Sequence, residues 1–362
     1  MNILEQNLIF LTIVAFFNTI FSKYKETRNI QLIISVSSLA LINALRYPLI
    51  GTDMERYNRF FNYVGQIRDI KSFMHYDQEI GYKALQWIIY NLFGNFQLLV
   101  VIVSLIFFMS FYVFLKRYST NYYFSLLLFI TLELYDFTFS GVRQTLALAL
   151  IMSSYHFAIE KKPGKFIVTT LLASSFHSTA IIFLPVYFIY NFRLKQSHIF
   201  FLIPFFVFFY NSRAFIGRIF NFIYYDSFET WYSSHSGFST LALFLIVIVV
   251  MGLTFESPMR NKNDRFLSGS INIVIISIFI QVLSSYAYSF TRLNYYFLII
   301  IIVYIPRVLT LNGSNYSIFN NNIEKIVKII LSFCIIISII LFYLNAIKMG
   351  NVNALPYYFF WN

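Results

Sequence analysis

Of 362 residues, 59% are hydrophobic and only 12% are charged, with a formal net charge of +12. A soluble domain carries about a quarter charged residues, so water is excluded as the main solvent. The apolar runs are continuous and do not alternate, which excludes a transmembrane β-barrel. The basic residues are dispersed among short loops, so no nucleic-acid partner is expected.

A segment that must satisfy its own backbone in lipid is a helix, and each full span needs about 20 mostly apolar residues. On that criterion the chain reads as an all-α polytopic membrane protein with about twelve transmembrane or half-membrane helices in one integral domain. The segments cover about 3–21, 30–46, 96–115, 122–136, 143–159, 166–176, 178–192, 197–211, 239–255, 268–288, 294–311 and 326–344. The first lacks a basic leader and carries Glu5, so it is expected to be a retained helix. The pair flanking His177 is short enough for one member to end within the membrane. Residues 80–93 read as an interfacial or re-entrant helix. The single cysteine, Cys334, lies in an Ile-rich stretch and offers neither a disulfide nor a metal site.

Lys and Arg accumulate in cytoplasmic loops. The compact loops with Lys23 to Arg28, Lys116-Arg117, Lys161 to Lys165, Arg193 to Lys195 and Arg260 to Arg265 are therefore assigned inside. The long connections 47–95 and 212–238 and both termini then fall outside. This sorts ten of thirteen lysines inside, yet leaves eight of fourteen arginines outside: Arg46, Arg56, Arg59, Arg68, Arg143, Arg213, Arg218 and Arg292. Guanidinium is a planar fork suited to phosphate or carboxylate, so an anion at the outer face is the natural inference. The structural alternative is that each arginine snorkels or pairs with an acid such as Asp53, Asp77, Glu79 or Asp136.

Four short segments carry candidate chemistry. In Arg46-Tyr47-Pro48-Leu49-Ile50-Gly51-Thr52-Asp53-Met54-Glu55-Arg56-Tyr57, Pro48 and Gly51 end a helix, and Thr52 with Glu55 reads as a capping box that starts another. Asp53, Arg56, Tyr57 and Phe60 then share one face, with Asp53 divided between catalysis and the helix dipole. In Asp136 to Gln144, Ser140 can cap a helix and Arg143 emerges in its first turn. A cation there opposes the dipole unless it meets a phosphate or a buried acid such as Asp136. Ser174-Ser175-Phe176-His177-Ser178-Thr179 sets an imidazole between apolar stretches, as a general base or a packing residue. In Ser289 to Tyr296, Arg292 could join Arg143 around a diphosphate. The tail Pro356-Tyr357-Tyr358-Phe359-Phe360-Trp361 reads as an interfacial aromatic belt whose faces could also hold a sugar ring or lipid. No GxGxxG, P-loop, HExxH or CxxC is present, so no cofactor is expected.

Taken as a set, these segments resemble the EpsG family of bacterial polysaccharide polymerases, which are related in function to the Wzy O-antigen polymerases. The features that carry the resemblance are Gly51-Thr52-Asp53 and Tyr57 after Arg46, Arg143-Gln144 opening an Ala/Leu-rich helix, and Phe176-His177-Ser178. Arg292 before Tyr295 and Tyr296, and Pro356-Tyr357, complete the set. The resemblance implies a bundle similar to GT-C membrane glycosyltransferases. It also implies polymerisation of undecaprenyl-diphosphate-linked oligosaccharide repeat units on the outer face of the bacterial cytoplasmic membrane. Arg143 and Arg292 would then bind the diphosphate and His177 or Asp53 would act as base, with no metal required. Arg46, Arg56, Tyr57, Gln144, Tyr295, Tyr296 and Tyr357 would contact substrate. Besides the lipid-linked oligosaccharide and membrane lipid, a chain-length regulator and a flippase are the implied partners. A flippase or transporter of the same lipid, and an O-antigen-type ligase, are the competing readings. The polar residues cluster at one face and the helix midsections are nearly empty of charge apart from Glu133, which fits a transport cavity poorly.

Overall fold

Every polar backbone group in a bilayer must find its partner within the protein, and the computed structural model is mostly helical in its described residues, with no β-strand among them. These are 3–21, 25–223, 240–255, 264–284, 289–310, 321–350 and 352–361. In chain order the helices are α1 Ile3–Phe21, α2 Lys25–Ala44, α3 Met54–Gln66, α4 Ile70–His75, α5 Ile80–Phe93, α6 Phe96–Tyr118, α7 Tyr122–Thr131, α8 Leu134–Ser140 and α9 Val142–Ile159. They continue as α10 Pro163–Phe176, a 3-10 turn Ser178–Phe183, α11 Val186–Asn191, α12 Gln196–Ile223, α13 Thr240–Phe255, α14 Arg265–Leu283, α15 Ser289–Leu298, α16 Ile301–Thr310 and α17 Asn321–Lys348.

Within the described residues each expected apolar segment is mostly helical, but the expected count of about twelve spans is not confirmed. Among the described residues four helices are long and apolar enough to cross a membrane: Phe96–Tyr118, Phe200–Ile219, Arg265–Leu283 and Ile323–Lys348. Two bent pairs, α7 with α8 at 54° and α15 with α16 at 47°, raise that to six if each is one span. Part of the difference comes from these two breaks, which an apolar run conceals, and part from apolar helices of fewer than 18 residues such as Ile3–Val14, Ser178–Asn191 and Thr240–Thr254. In α7–α8 the break is Glu133, which adopts the left-handed conformation at φ 62°, one that L side chains disfavour. The 212–238 segment begins as helix, since α12 runs to Ile223; its remainder, with Asp226, Glu229 and His235, lies outside the described residues.

The chain divides into two compact units. The first comprises Met1–His156, Gly164–Leu184 and Cys334–Asn362, the second Phe157–Pro163 and Pro185–Phe333. In the second unit α14 is the buried element and α12 the exposed one, with 72% and 6% of their spans buried. Phe200, Phe201, Ile203 and Phe208 of α12 stand largely uncovered, a surface suited to lipid. Asn272 of α14 donates Nδ2 to the Ile189 and Phe192 carbonyls at the end of α11. Ser277, Asn294 and Gln281 form a buried hydrogen-bonded chain between α14 and α15.

In the first unit, aromatic side chains of α6, α7 and α8 fill the core, Phe111 and Phe129 having centroids 4.2 Å apart. The end of α2 accounts for why the first and last motifs belong together. A helix leaves its last four carbonyls without intrahelical partners, and here each has one. Leu41 O accepts from Leu45 N, Ile42 O from the Tyr357 hydroxyl, Asn43 O from the Arg46 guanidinium and Ala44 O from Gln97 Nε2. The tail also forms a short antiparallel bridge with this turn, Phe360 N donating to Leu45 O and Tyr47 N to Tyr358 O. Gly51 closes the turn that follows. Its φ is +119°, and a Cβ would lie 2.2 Å from the Phe139 carbonyl oxygen, so only glycine fits.

Asp136 does not meet Arg143. It accepts from Asn353 Nδ2 at 2.7 Å, Asn353 N at 3.1 Å and Ala354 N at 3.0 Å, which seats the tail that caps α2. Asp136→Ala leaves those donors unmatched in a buried setting and is expected to cost about 2–5 kcal/mol. A lowered thermal unfolding midpoint in detergent and new protease cleavage after Gly350 would show this; unchanged values of both would contradict it.

Candidate active site

Glu79 stands just ahead of α5, where an acidic side chain would ordinarily cap the helix, but it makes no cap bond. It reaches away from its own helix instead. Oε2 accepts from Arg143 Nη1 at 2.6 Å, and Oε1 faces His177 Nδ1 at 3.2 Å and accepts from the Ser178 backbone N–H at 3.1 Å. Three distant stretches of sequence thus converge on one carboxylate. The side chains are 13% exposed for Glu79 and 21% for both Arg143 and His177, enclosed enough for strong electrostatics and open enough for a ligand.

Local chemistry explains the convergence. His177 separates α10 from the 3-10 turn in an extended conformation, φ −152°, which turns its ring out of both helices. Gly81, in the first turn of α5, lies so close to α10 that a Cβ would sit 2.5 Å from Ser175 Oγ. The missing side chain brings the start of α5 against the end of α10, so Glu79 reaches His177 two residues beyond Ser175. Buried Lys83 fixes the approach by donating Nζ to the Tyr76 carbonyl at 2.9 Å. Arg143 is the second residue of α9, and its guanidinium lies 5.7 Å from the centroid of the Tyr57 ring, which packs edge-on against Tyr82.

Burial alone would raise the Glu79 pKa. The hydrogen bond from His177, the Arg143 charge and the Ser178 N–H together overturn that and hold the carboxyl well below its ordinary range. An ionised carboxylate only accepts, so it selects the His177 tautomer with the proton on Nδ1 and the lone pair on Nε2. Arg143 keeps binding capacity in its 21% exposed side chain, whose buried Nε has no partner among the described residues. The arrangement can therefore accept a proton at one point and donate to an anion at another.

The remaining candidates are distributed differently. Asp53, half-buried, takes the N-cap position of α3 without a side-chain cap bond. Thr52 does not form the expected capping box; its N–H donates to Ser140 Oγ at 3.1 Å. Arg56 is exposed, its guanidinium over the Phe60 ring, whereas Tyr57 faces the core. Gln144 is buried beside Arg143. Arg46 is 1% exposed and donates to the Asn43 and Phe139 carbonyls and to Asn43 Oδ1. A guanidinium so enclosed reaches a ligand only through its neighbours, and its bonds tie α2 to α8. Tyr357 likewise gives its hydroxyl to Ile42 O. Arg292, half-buried, belongs to the second unit with Tyr295 and Tyr296, both buried there.

The family model described as the EpsG family matches residues 29–359, most of the chain. This chain belongs to the EpsG family. EpsG is a Wzy-like polymerase family, and membership agrees with the several apolar helices in making this a membrane protein. No curated protein and no solved structure matches the chain. The matched region contains Glu79, Arg143 and His177. Glu79 carries no motif of its own: in a loop with Asp69 and Asp77 it reads as one of several acids that an outer arginine could pair with. Its one local signal is Gly81, a small residue where a helix begins.

The depressed Glu79 pKa has a testable sign. A carboxylate ionised more readily when folded adds stability that is complete above its ordinary value, about 4.3, and fades as pH falls below it. Glu79→Gln is expected to lower stability by about 2–4 kcal/mol at pH 7 and by much less at pH 3, measured by thermal unfolding in detergent. A gap of equal size at both values would show that charge is not what holds the cluster.

Proposed function

We propose that this chain is a membrane glycosyltransferase that polymerises undecaprenyl-diphosphate-linked oligosaccharide repeat units on the outer face of the bacterial cytoplasmic membrane. The observation that carries this reading is the Glu79 cluster, which sets a base and a phosphate-binding cation on one carboxylate within an EpsG-family chain. In the proposed reaction a hydroxyl of the acceptor sugar loses its proton to His177 Nε2 as its oxygen bonds to the anomeric carbon of the donor. The bond from that carbon to the diphosphate oxygen breaks, and the electron pair leaves on the lipid diphosphate. Arg143 offsets the developing negative charge, as guanidinium does for phosphates generally. Glu79 keeps Nδ1 protonated, balances the imidazolium that forms, and aims both cations. Asp53 is the other base that the sequence offers, and the carboxylate behind His177 favours the histidine. Arg292 is proposed as a further phosphate-binding cation on the strength of its motif. A fold similar to GT-C glycosyltransferases and the outer-face topology remain part of this proposal, supported by the sorting of lysine and arginine between loops.

Variants in cells depleted of the native chain test the assignment. His177→Ala is expected to cut polymer formation by about 10²–10⁴-fold and Arg143→Ala by about 10²–10³-fold. Glu79→Ala should reduce it at least tenfold, on the order of the cost of losing one hydrogen-bonded charge. Polymer is compared per amount of chain in the membrane, because the Glu79 variant is also expected to be less stable. A full ladder of chain lengths in all three variants refutes the mechanism. Single-repeat lipid-linked units should accumulate at the outer face; their retention inside would favour a flippase instead.

A further inference from the structure

A second cleft in the first unit has a different chemical character. It encloses about 460 Å³, within the range of small-molecule sites. Its polar lining comes from Asn58 and Asn62, one turn apart on α3, from Asn95 and Gln97 where α6 begins, and from Tyr47 after α2. No lining residue carries a formal charge. The amides are only partly used by the protein. Asn62 Nδ2 donates to Asn58, Asn95 Oδ1 accepts from Gln97 N and Leu98 N, and Gln97 Nε2 donates to Ala44 O. Gln97 Oε1 is buried with no partner among the described residues, and such an orphan costs free energy unless a ligand or water satisfies it. Aromatic surface borders the amides. Tyr47 is 41% exposed and Phe93 62% exposed, and the tail bonded to Tyr47 exposes Tyr358 beside them.

We propose that this cleft is a subsite for a sugar ring of the oligosaccharide repeat unit, an inference that rests on the polymerase reading. A sugar presents neutral hydroxyls, each a donor and an acceptor, around an apolar C–H face. Unpaired amide halves beside aromatic rings match both features. A phosphate would find no cation in this lining, and an acyl or prenyl chain would strand the amides without partners. The division of labour follows the chain. Tyr57 of α3 lies under Arg143 in the charged cluster, and Asn58, the next residue, lines the neutral cleft. One short helix therefore carries residues for both ends of a lipid-linked sugar. Gly94, left-handed at φ 62° between α5 and α6, makes the turn that presents Asn95 and Gln97 to the cleft.

The full-length chain in lipid nanodiscs can be titrated with repeat-unit oligosaccharides, freed of lipid and phosphate, from the polymer whose formation depends on it. Asn58→Leu with Asn62→Leu is expected to weaken their binding at least tenfold, about the loss of one or more hydrogen bonds, while binding of undecaprenyl diphosphate is unchanged. Arg143→Ala should do the reverse. Undiminished oligosaccharide binding in the double variant overturns the subsite, as does failure of the unaltered chain to bind the oligosaccharide. Should the double variant not assemble, the single change Asn62→Ala at an exposed position is read instead, with about threefold weakening expected and no weakening overturning the subsite. Polymer lost in Arg143→Ala, but kept with full oligosaccharide binding in the double variant, refutes the subsite and leaves the polymerase reading standing. Polymer kept in Arg143→Ala, His177→Ala and Glu79→Ala alike refutes that reading whatever the cleft binds.

Discussion

Two oxygens of one carboxylate receive a guanidinium, an imidazole and a backbone N–H, and the candidate chemistry of this protein depends on that convergence. A partly enclosed carboxylate is costly unless paired, so Glu79 draws α9 and the α10 break toward the start of α5. The same pairing settles protonation. It keeps the acid ionised and, in a neutral imidazole, favours the proton on Nδ1. Because Glu79 neutralises part of the Arg143 charge, the cluster can sit near apolar sequence without a bound anion. The Arg143 side chain also stays 21% exposed.

A second constraint operates at the end of α2. Away from water, each terminal carbonyl needs a protein donor. Tyr357 in the tail, Arg46 and Gln97 supply side-chain donors from three parts of the chain, and Phe360 N bonds the next carbonyl, Leu45 O. Residues that look functional by type thus have structural employment in this turn. Arg46 shows the distinction most clearly: it shares its residue type with Arg143, but it is sealed beneath the Phe139 ring, whereas Arg143 opens onto the cluster. Asp136 belongs with Arg46 in this respect, because it anchors the tail.

Much of the helical order was legible in the sequence because continuous apolar runs leave few alternatives. The helix over 80–93 and the break at His177 were readable to the residue. Whether a helix crosses the membrane was less so, since bends at Glu133 and between α15 and α16 depend on backbone conformation that hydropathy does not encode. Arg143 and His177 were legible as unusual residues beside apolar stretches. Their common partner was not, because Glu79 and His177 are 98 positions apart and pairing at that separation leaves no local periodicity. Asp136, seven residues before Arg143, was the obvious nearby acid, and the helix that carries it turns it toward Asn353 instead.

The central claim is that Glu79 sets the protonation of His177. Nitrogen-15 resonances of the histidine rings, recorded in lipid at a pH where His177 is neutral and assigned with a His177 variant, report the tautomer directly. The account predicts a proton on Nδ1 and a lone pair on Nε2 in the unaltered chain, with that preference lost in Glu79→Gln. A proton on Nε2, or a ring indifferent to the loss of the Glu79 charge, would contradict it.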